Sequence, residues 1–175
     1  MAEEPAQGTM QKQLLLQKIY AKDISFESPK APEIFRTNAQ ANTQLNVQTK
    51  NRKLDNSNYE VALTLTVESK EGDETLFLIE IVQSGIFTID GYDEREVQVL
   101  LGSFCPGTLY PFAREAVADI AAKGGFPQLI LQPINFDAVY AQAVQQQQMQ
   151  MAEQDTPTNI APVTAPGTDG GGETH

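Results

Sequence analysis

Residues 59–69 limit the fold more than any other stretch. Tyr59, Val61, Leu63, Leu65 and Val67 alternate with Glu60, Thr64, Thr66 and Glu68. A period of two puts one set on each face of a strand, and a strand with one dry and one wet face belongs to an antiparallel sheet. Such a dry face has to be covered by a second layer. The neighbouring segments fit the same sheet. In 43–50, Leu45, Val47 and Thr49 alternate with Gln44, Asn46, Gln48 and Lys50. In 75–89, Phe77, Ile79 and Ile81 share one face while Leu76, Leu78 and Val82 fall on the other. That pattern suits a central strand, or one partly covered by another subunit. In 14–27 the even positions Leu14, Leu16, Tyr20, Ile24 and Phe26 are apolar, broken by Lys18 and Lys22. They predict a strand, with a helical phase through Leu15, Ile19 and Phe26 left open. Pro29 and Pro32 end regular structure, so 28–42 reads as a crossover loop carrying Phe35. The polar stretches 51–58 and 70–74 read as hairpin connections.

The pattern changes after Asp90–Gly91. Residues 93–104 are helix-like, and Cys105-Pro106-Gly107 is expected to interrupt them. Leu109, Phe112, Ala113, Ala116, Val117 and Ile120 then recur at helical spacing, with Arg114, Asp119 and Lys123 off the stripe. Pro111 is assigned to the first turn of this helix, and Gly124–Gly125 to its stop. Residues 126–134 form an extended link. Asn135 can cap a last helix bearing Phe136, Val139, Tyr140, Ala143 and Val144 on one face. Strands followed by helices give an α+β fold, an antiparallel sheet with helices on one side. Residues 1–12 read as a flexible arm, 13–151 as one domain, and 152–175, with three Pro and four Gly, as a disordered acidic tail.

The net charge of −11 narrows the partners. All 12 Lys and Arg lie in residues 12–123, where they face 16 acids; residues 124–175 carry five acids and no Lys or Arg. Such a chain repels phosphate backbones, so a basic protein is a better partner than nucleic acid. No run nears the ~20 apolar residues of a membrane-spanning helix, which together with one cysteine suggests a cytoplasmic protein. The single histidine, His175, is the last residue, and there is one cysteine, Cys105. Positioned Ser–His–Asp or Cys–His catalysis and a zinc site therefore lack their side chains. No phosphate-binding glycine loop is present, and no cofactor is implied. Cys105 reads as a small buried residue rather than a nucleophile. Asp90, Asp93, Glu94 and Glu96 lack the ligand alternation of a calcium loop and suit a helix start. Asp23 and Glu27 lie ~13 Å apart along a strand, too far for a usual carboxylate pair. With Glu80 they form either a soluble sheet face or an acidic docking face.

Longer segments carry a resemblance. Ile19-Tyr20-Ala21-Lys22-Asp23-Ile24-Ser25-Phe26-Glu27 before Pro29 resembles the opening strand of the SecB family of export chaperones. Gly85-Ile86-Phe87 resembles the end of its fourth strand. Cys105-Pro106 and Leu109-Tyr110-Pro111-Phe112-Ala113-Arg114-Glu115 resemble its long helix. Gly124-Gly125-Phe126-Pro127-Gln128-Leu129, then Pro133-Ile134-Asn135-Phe136-Asp137-Ala138-Val139-Tyr140, resemble its final link and helix. The likeness runs in register from about residue 13 to 148. Ser84 and Gly107 depart from it, where glycine and asparagine are common.

The resemblance implies a four-stranded Greek-key sheet packed with helices and a homotetramer built as a dimer of dimers. It implies ATP-independent holding of unfolded preproteins and their delivery to SecA, with no enzymatic step and no membrane insertion. It also implies an acidic sheet surface for the basic C-terminal segment of SecA, at Asp23, Glu27, Leu78 and Glu80. A holdase needs exposed apolar grooves, where several weak contacts add along one client. The groove candidates are Phe35, Leu45, Val47, Leu129, Leu131, Phe136 and Tyr140, although for each residue taken singly ordinary core packing is the better explanation. The alternatives are a chaperone of this fold serving a toxin–antitoxin system, and a small-ligand enzyme using paired carboxylates.

Overall fold

The computed structural model describes residues 11–38 and 40–154. Four long strands come first: β1 Gln13–Glu27, β2 Asn42–Lys53, β3 Asn58–Glu71 and β4 Glu74–Asp90. They form one antiparallel sheet in the order β1-β4-β3-β2. Three hairpin-connected strands plus a first strand returned beside the last make a Greek key. The crossover from β1 to β2 contains a 3₁₀ turn, Glu33–Arg36. Helix α1, Glu94–Val99, a π-helical turn at Leu100–Phe104 and α2, Cys105–Lys123, follow, then α3, Phe136–Gln154. The chain divides after Ala141 into two units, the second beginning at Gln142 within α3. The arm at 1–12 and the tail at 152–175 lie almost wholly outside the described residues.

The predicted alternation holds in β3. Val61, Leu63, Leu65 and Val67 are fully buried and aligned with Gly85, Gln83, Ile81 and Ile79 of β4. Covering them is α2, whose Leu109, Ala113, Val117 and Ala121 recur at i, i+4 and are fully buried. The sheet approaches α2 closely at Gly85, where a Cβ would stand 2.9 Å from both Leu109 and Phe87 and 3.1 Å from the Lys18 carbonyl. The helix ends as expected. The Gly124 amide donates to the Ile120 carbonyl, and Gly125 takes a left-handed φ of +85° that β-carbon residues resist. Asn135 Oδ1 accepts from the Ala138 amide and caps α3. Asp93 and Glu96 form a reciprocal capping box at α1, so the acid run is a helix start.

Three expectations are corrected. In β1, bulges between Leu16 and Lys18 and between Ala21 and Asp23 each absorb a residue. Leu14, Leu16, Ile19, Ala21, Ile24 and Phe26 therefore align with the helix-facing residues of β4, and Tyr20 turns to the outer face opposite Ser84. In the helical region, Cys105-Pro106-Gly107 does not interrupt; it forms the first turn of α2, and the irregularity is the π turn just before it. Pro106 has no N–H to give the preceding turn, and the wider turn accommodates that loss. Pro111 thus lies inside α2, where it has no N–H to give the carbonyl of Gly107. Finally, Phe112 is exposed although it belongs to the predicted stripe.

Replacing Gly85 by Val should overpack the sheet–α2 contact and destabilise the protein by about 2 kcal/mol. Urea unfolding followed by circular dichroism measures it; an unchanged midpoint would mean that this contact is slack.

Candidate functional site

The sheet separates two surfaces of different chemistry. On the helix side, the crossover and the 126–134 link leave an open hollow at one end of the sheet. It is about 380 Å³ and is lined by Phe35, Thr43, Leu76, Phe77, Phe126 and Leu129, among others. Its floor is aromatic. Phe126 sits 4.6 Å from Phe77 and 5.3 Å from Phe35 between ring centroids, and Phe26 stacks on Phe77 at 6.4 Å. Phe35 nevertheless remains 50 % exposed. The link is held by the Tyr110 hydroxyl, which donates to the Gln132 carbonyl.

The seven groove candidates separate by position. Phe35 and Leu129 line the hollow. Leu45 and Val47 lie on β2, a sheet edge, aligned with the helix-facing Val67 and Leu65; Leu45 is 37 % exposed. Leu131 and Phe136 are only 7 % and 6 % exposed and belong to the core, where Phe136 meets the Tyr110 ring edge-on at 5.6 Å. Tyr140 is half-buried against Gly102, where any side chain would collide with its ring. Sequence reasoning missed Phe126 and Phe77 as the floor of the hollow, and Phe26 as the ring that backs Phe77. Their hint was the concentration of phenylalanine in segments otherwise far apart in the chain.

On the opposite face, register brings the acidic candidates together. Glu27 pairs with Leu78, Ser25 with Glu80, and Asp23 with Val82. Asp23, Glu27, Leu78 and Glu80 therefore occupy one end of the outer face across two adjacent strands. Glu80 also accepts a hydrogen bond from Thr66 at 3.3 Å.

The same face holds a residue that the alternation assigned simply to solvent. Glu60 on β3 is only 5 % exposed. Its carboxylate accepts from Lys22 at 2.7 Å, from the Tyr20 hydroxyl at 2.5 Å and from Arg52 at 2.9 Å. Tyr20 and Lys22 reach it from β1 across β4, and Arg52 from β2 beside it. Lys22 above all, then Tyr20, holds the Glu60 carboxyl down to about 2, against desolvation. The same bond to Glu60 raises the pKa of Tyr20. Cys105 is fully buried in α2, and burial pushes its thiol up to about 12, which leaves it unreactive where it lies.

An open apolar hollow on one side of a sheet and a charged field on the other are the surface features of a chaperone-like scaffold rather than of a closed active site. Comparison with known proteins makes this specific. The family model for preprotein translocase subunit SecB matches residues 7–147. Protein-export protein SecB of Nitrosococcus oceani is 49 % identical over 148 residues, covering 83 % of this chain and 90 % of the relative. That of Hahella chejuensis is 46 % identical over 149 residues, covering 85 % and 94 %. The fold is also similar to that of a Mycobacterium tuberculosis SecB-like chaperone solved with an antitoxin peptide. The TM-score is 0.59 at 16 % identity, over 69 % of this chain and 90 % of that one. The chain belongs to the SecB family of protein-export chaperones.

A folded-state carboxyl at about 2 against an ordinary 4.5 contributes stability above the unfolded value, and this is lost as pH falls from about 5 towards 2. Glu60→Gln should therefore cost about 1 to 2 kcal/mol at pH 7, a modest figure because Lys22 and Arg52 are largely solvated. The gap between parent and variant should close on acidification. Urea midpoints across pH 2.5–7 test this; a gap independent of pH would show that the carboxylate is not the source.

Proposed function

We propose that the protein is a cytoplasmic holdase that keeps unfolded preproteins export-competent without ATP and passes them to SecA. The observation that carries this reading is Phe35, half exposed over a packed aromatic floor. An apolar surface left open in the folded chain is suited to a non-native segment, which still has unburied side chains to offer. Binding of this kind needs no covalent step, so the reading includes no enzymatic activity. Phe35 and Leu129 form the head of the groove, and Leu45 and Val47 extend it along the β2 edge. Leu131 and Phe136 support it from the core, and Tyr140 fixes the start of α3.

Asp23, Glu27 and Glu80, with Leu78 among them, are the docking surface for a basic segment of SecA. Charge there speeds encounter and sets orientation, while the leucine supplies apolar contact. Assembly as a dimer of dimers gives a role to the exposed Phe104 and Phe112 on the helical side. It also covers β1, a sheet edge of 15 residues.

The central test is whether the purified protein, without nucleotide, delays refolding of a denatured preprotein. Phe35→Ser with Leu45→Ser should weaken client binding roughly tenfold. Both side chains are exposed, so fold and mass should persist; a folded variant that holds clients as tightly as the parent would remove the groove. Light scattering should give the mass of four chains, and a monomer at micromolar concentration would end the assembly reading. Asp23→Ala with Glu80→Lys should abolish most SecA binding and leave client holding intact. Equal SecA affinity in calorimetry would dismiss the acidic surface.

A further inference from the structure

The outer face is divided by charge along its strands. Beyond Glu80, towards the Lys53 end of β2, lies a hollow of about 650 Å³ lined by Lys22, Gln48, Lys50, Arg52, Ala62 and Thr64, with Glu60 and Glu80. Small side chains form its floor and long cations its rim. In register, Thr66 faces Glu80 while Lys50 faces Ala62, four residues further along β3. Lys50 thus lies ~13 Å from Glu80 along the strands and two strands over, while Lys22 adjoins Asp23 on β1. Glu60 holds two of the cations in place: Lys22 at 2.7 Å and Arg52 at 2.9 Å, their side chains still 48 % and 69 % exposed. Lys50 is exposed and takes no part in the ion pairs among the described residues. Three cations against the two carboxylates of its lining, Glu60 and Glu80, leave the hollow with a formal excess of one positive charge, in a chain of net charge −11.

We infer that this basic hollow is a second recognition element of the outer face, which takes acidic side chains of the same polypeptide segment whose basic residues meet Asp23, Glu27 and Glu80. The inference rests on the docking role proposed for the acidic end. The adjoining carboxylates favour a peptide over a polyanion, because a nucleic acid or an anionic membrane laid over Lys50 would also meet Glu80. A segment with charges of both signs satisfies both ends, and one with the wrong spacing meets like charge. The hollow therefore sets which way round a partner docks.

Three peptides of about twelve residues, extended enough to reach from Glu80 to Lys50, test this by calorimetry on the full chain at low salt. One carries a lysine cluster, a four-residue neutral spacer and a glutamate cluster. The second has glutamine for glutamate, and the third glutamine for lysine. The first should bind roughly five-fold tighter than the second, the combined effect of a few exposed charge pairs. That advantage should vanish in Lys50→Glu and shrink in the milder Lys50→Gln, each checked for fold by circular dichroism. The third should weaken in Lys50→Glu and be unaffected by Asp23→Ala. If glutamate adds nothing in the parent, or its advantage survives Lys50→Glu, the inference fails while the acidic docking surface stands. If lysine-dependent binding ignores Asp23→Ala while the third peptide still needs Lys50, the docking role fails and the basic site stands. Displacement of the third peptide by inorganic phosphate, beyond what chloride of equal ionic strength achieves, would mark a generic anion site and overturn the peptide reading.

Discussion

The burial of one face of β3 and β4 beneath α2 organises the remainder of the molecule. Leu63, Leu65, Ile79 and Ile81 join Leu109, Ala113 and Val117 in one buried apolar cluster, with Gln83 as a buried polar neighbour opposite Leu63. The stabilisation is proportional to the apolar area removed from water, and it concentrates at the centre of the sheet. The crossover and, apart from the Glu60 cluster, the far face are thereby largely relieved of structural duty. An apolar residue such as Phe35 can stay open, and the outer face can be given over to charge, because the core does not depend on either.

This arrangement places the two proposed recognition surfaces back to back across one sheet. The apolar hollow lies on the helix side, and charge lies on the other. The sheet between them is stiffened on its charged side by Glu60, which joins β1, β3 and β2 through Lys22, Tyr20 and Arg52. A buried carboxylate is costly unless its lone pairs are filled, and here three donors fill them. The same bonds that satisfy Glu60 set Lys22 and Arg52 at fixed positions, so a structural need and a surface charge pattern share the same atoms.

Much of this was legible in the chain. The alternation in β3, the helical spacing from Leu109 to Val117, the Gly124–Gly125 stop and the Asn135 cap all rest on local rules, and each appears where those rules put it. The family likeness supplied the Greek-key order, which periodicity does not encode. What escaped was non-local. A bulge in β1 changes which residues share a face without changing composition, so Tyr20 and Ile19 exchanged places. Glu60 looked solvated because its partners lie 38 residues before it and eight before it in sequence. Leu131 and Phe136 looked available for clients because hydrophobicity alone does not distinguish a groove from the core beneath it. The adjacency of Asp23 and Glu27 to Leu78 and Glu80 needed the β1–β4 register.

Cys105 carries a further consequence. It is the chain's one cysteine, sealed under the first turn of α2 with its thiol held protonated. A thiol reagent can reach it only while that turn is lifted from the sheet, and the rate of modification then follows the frequency of that excursion. The protein thus contains a clock wound by its own packing, one that records how often the helix parts from the strands beneath it, whether the chain is idle or loaded.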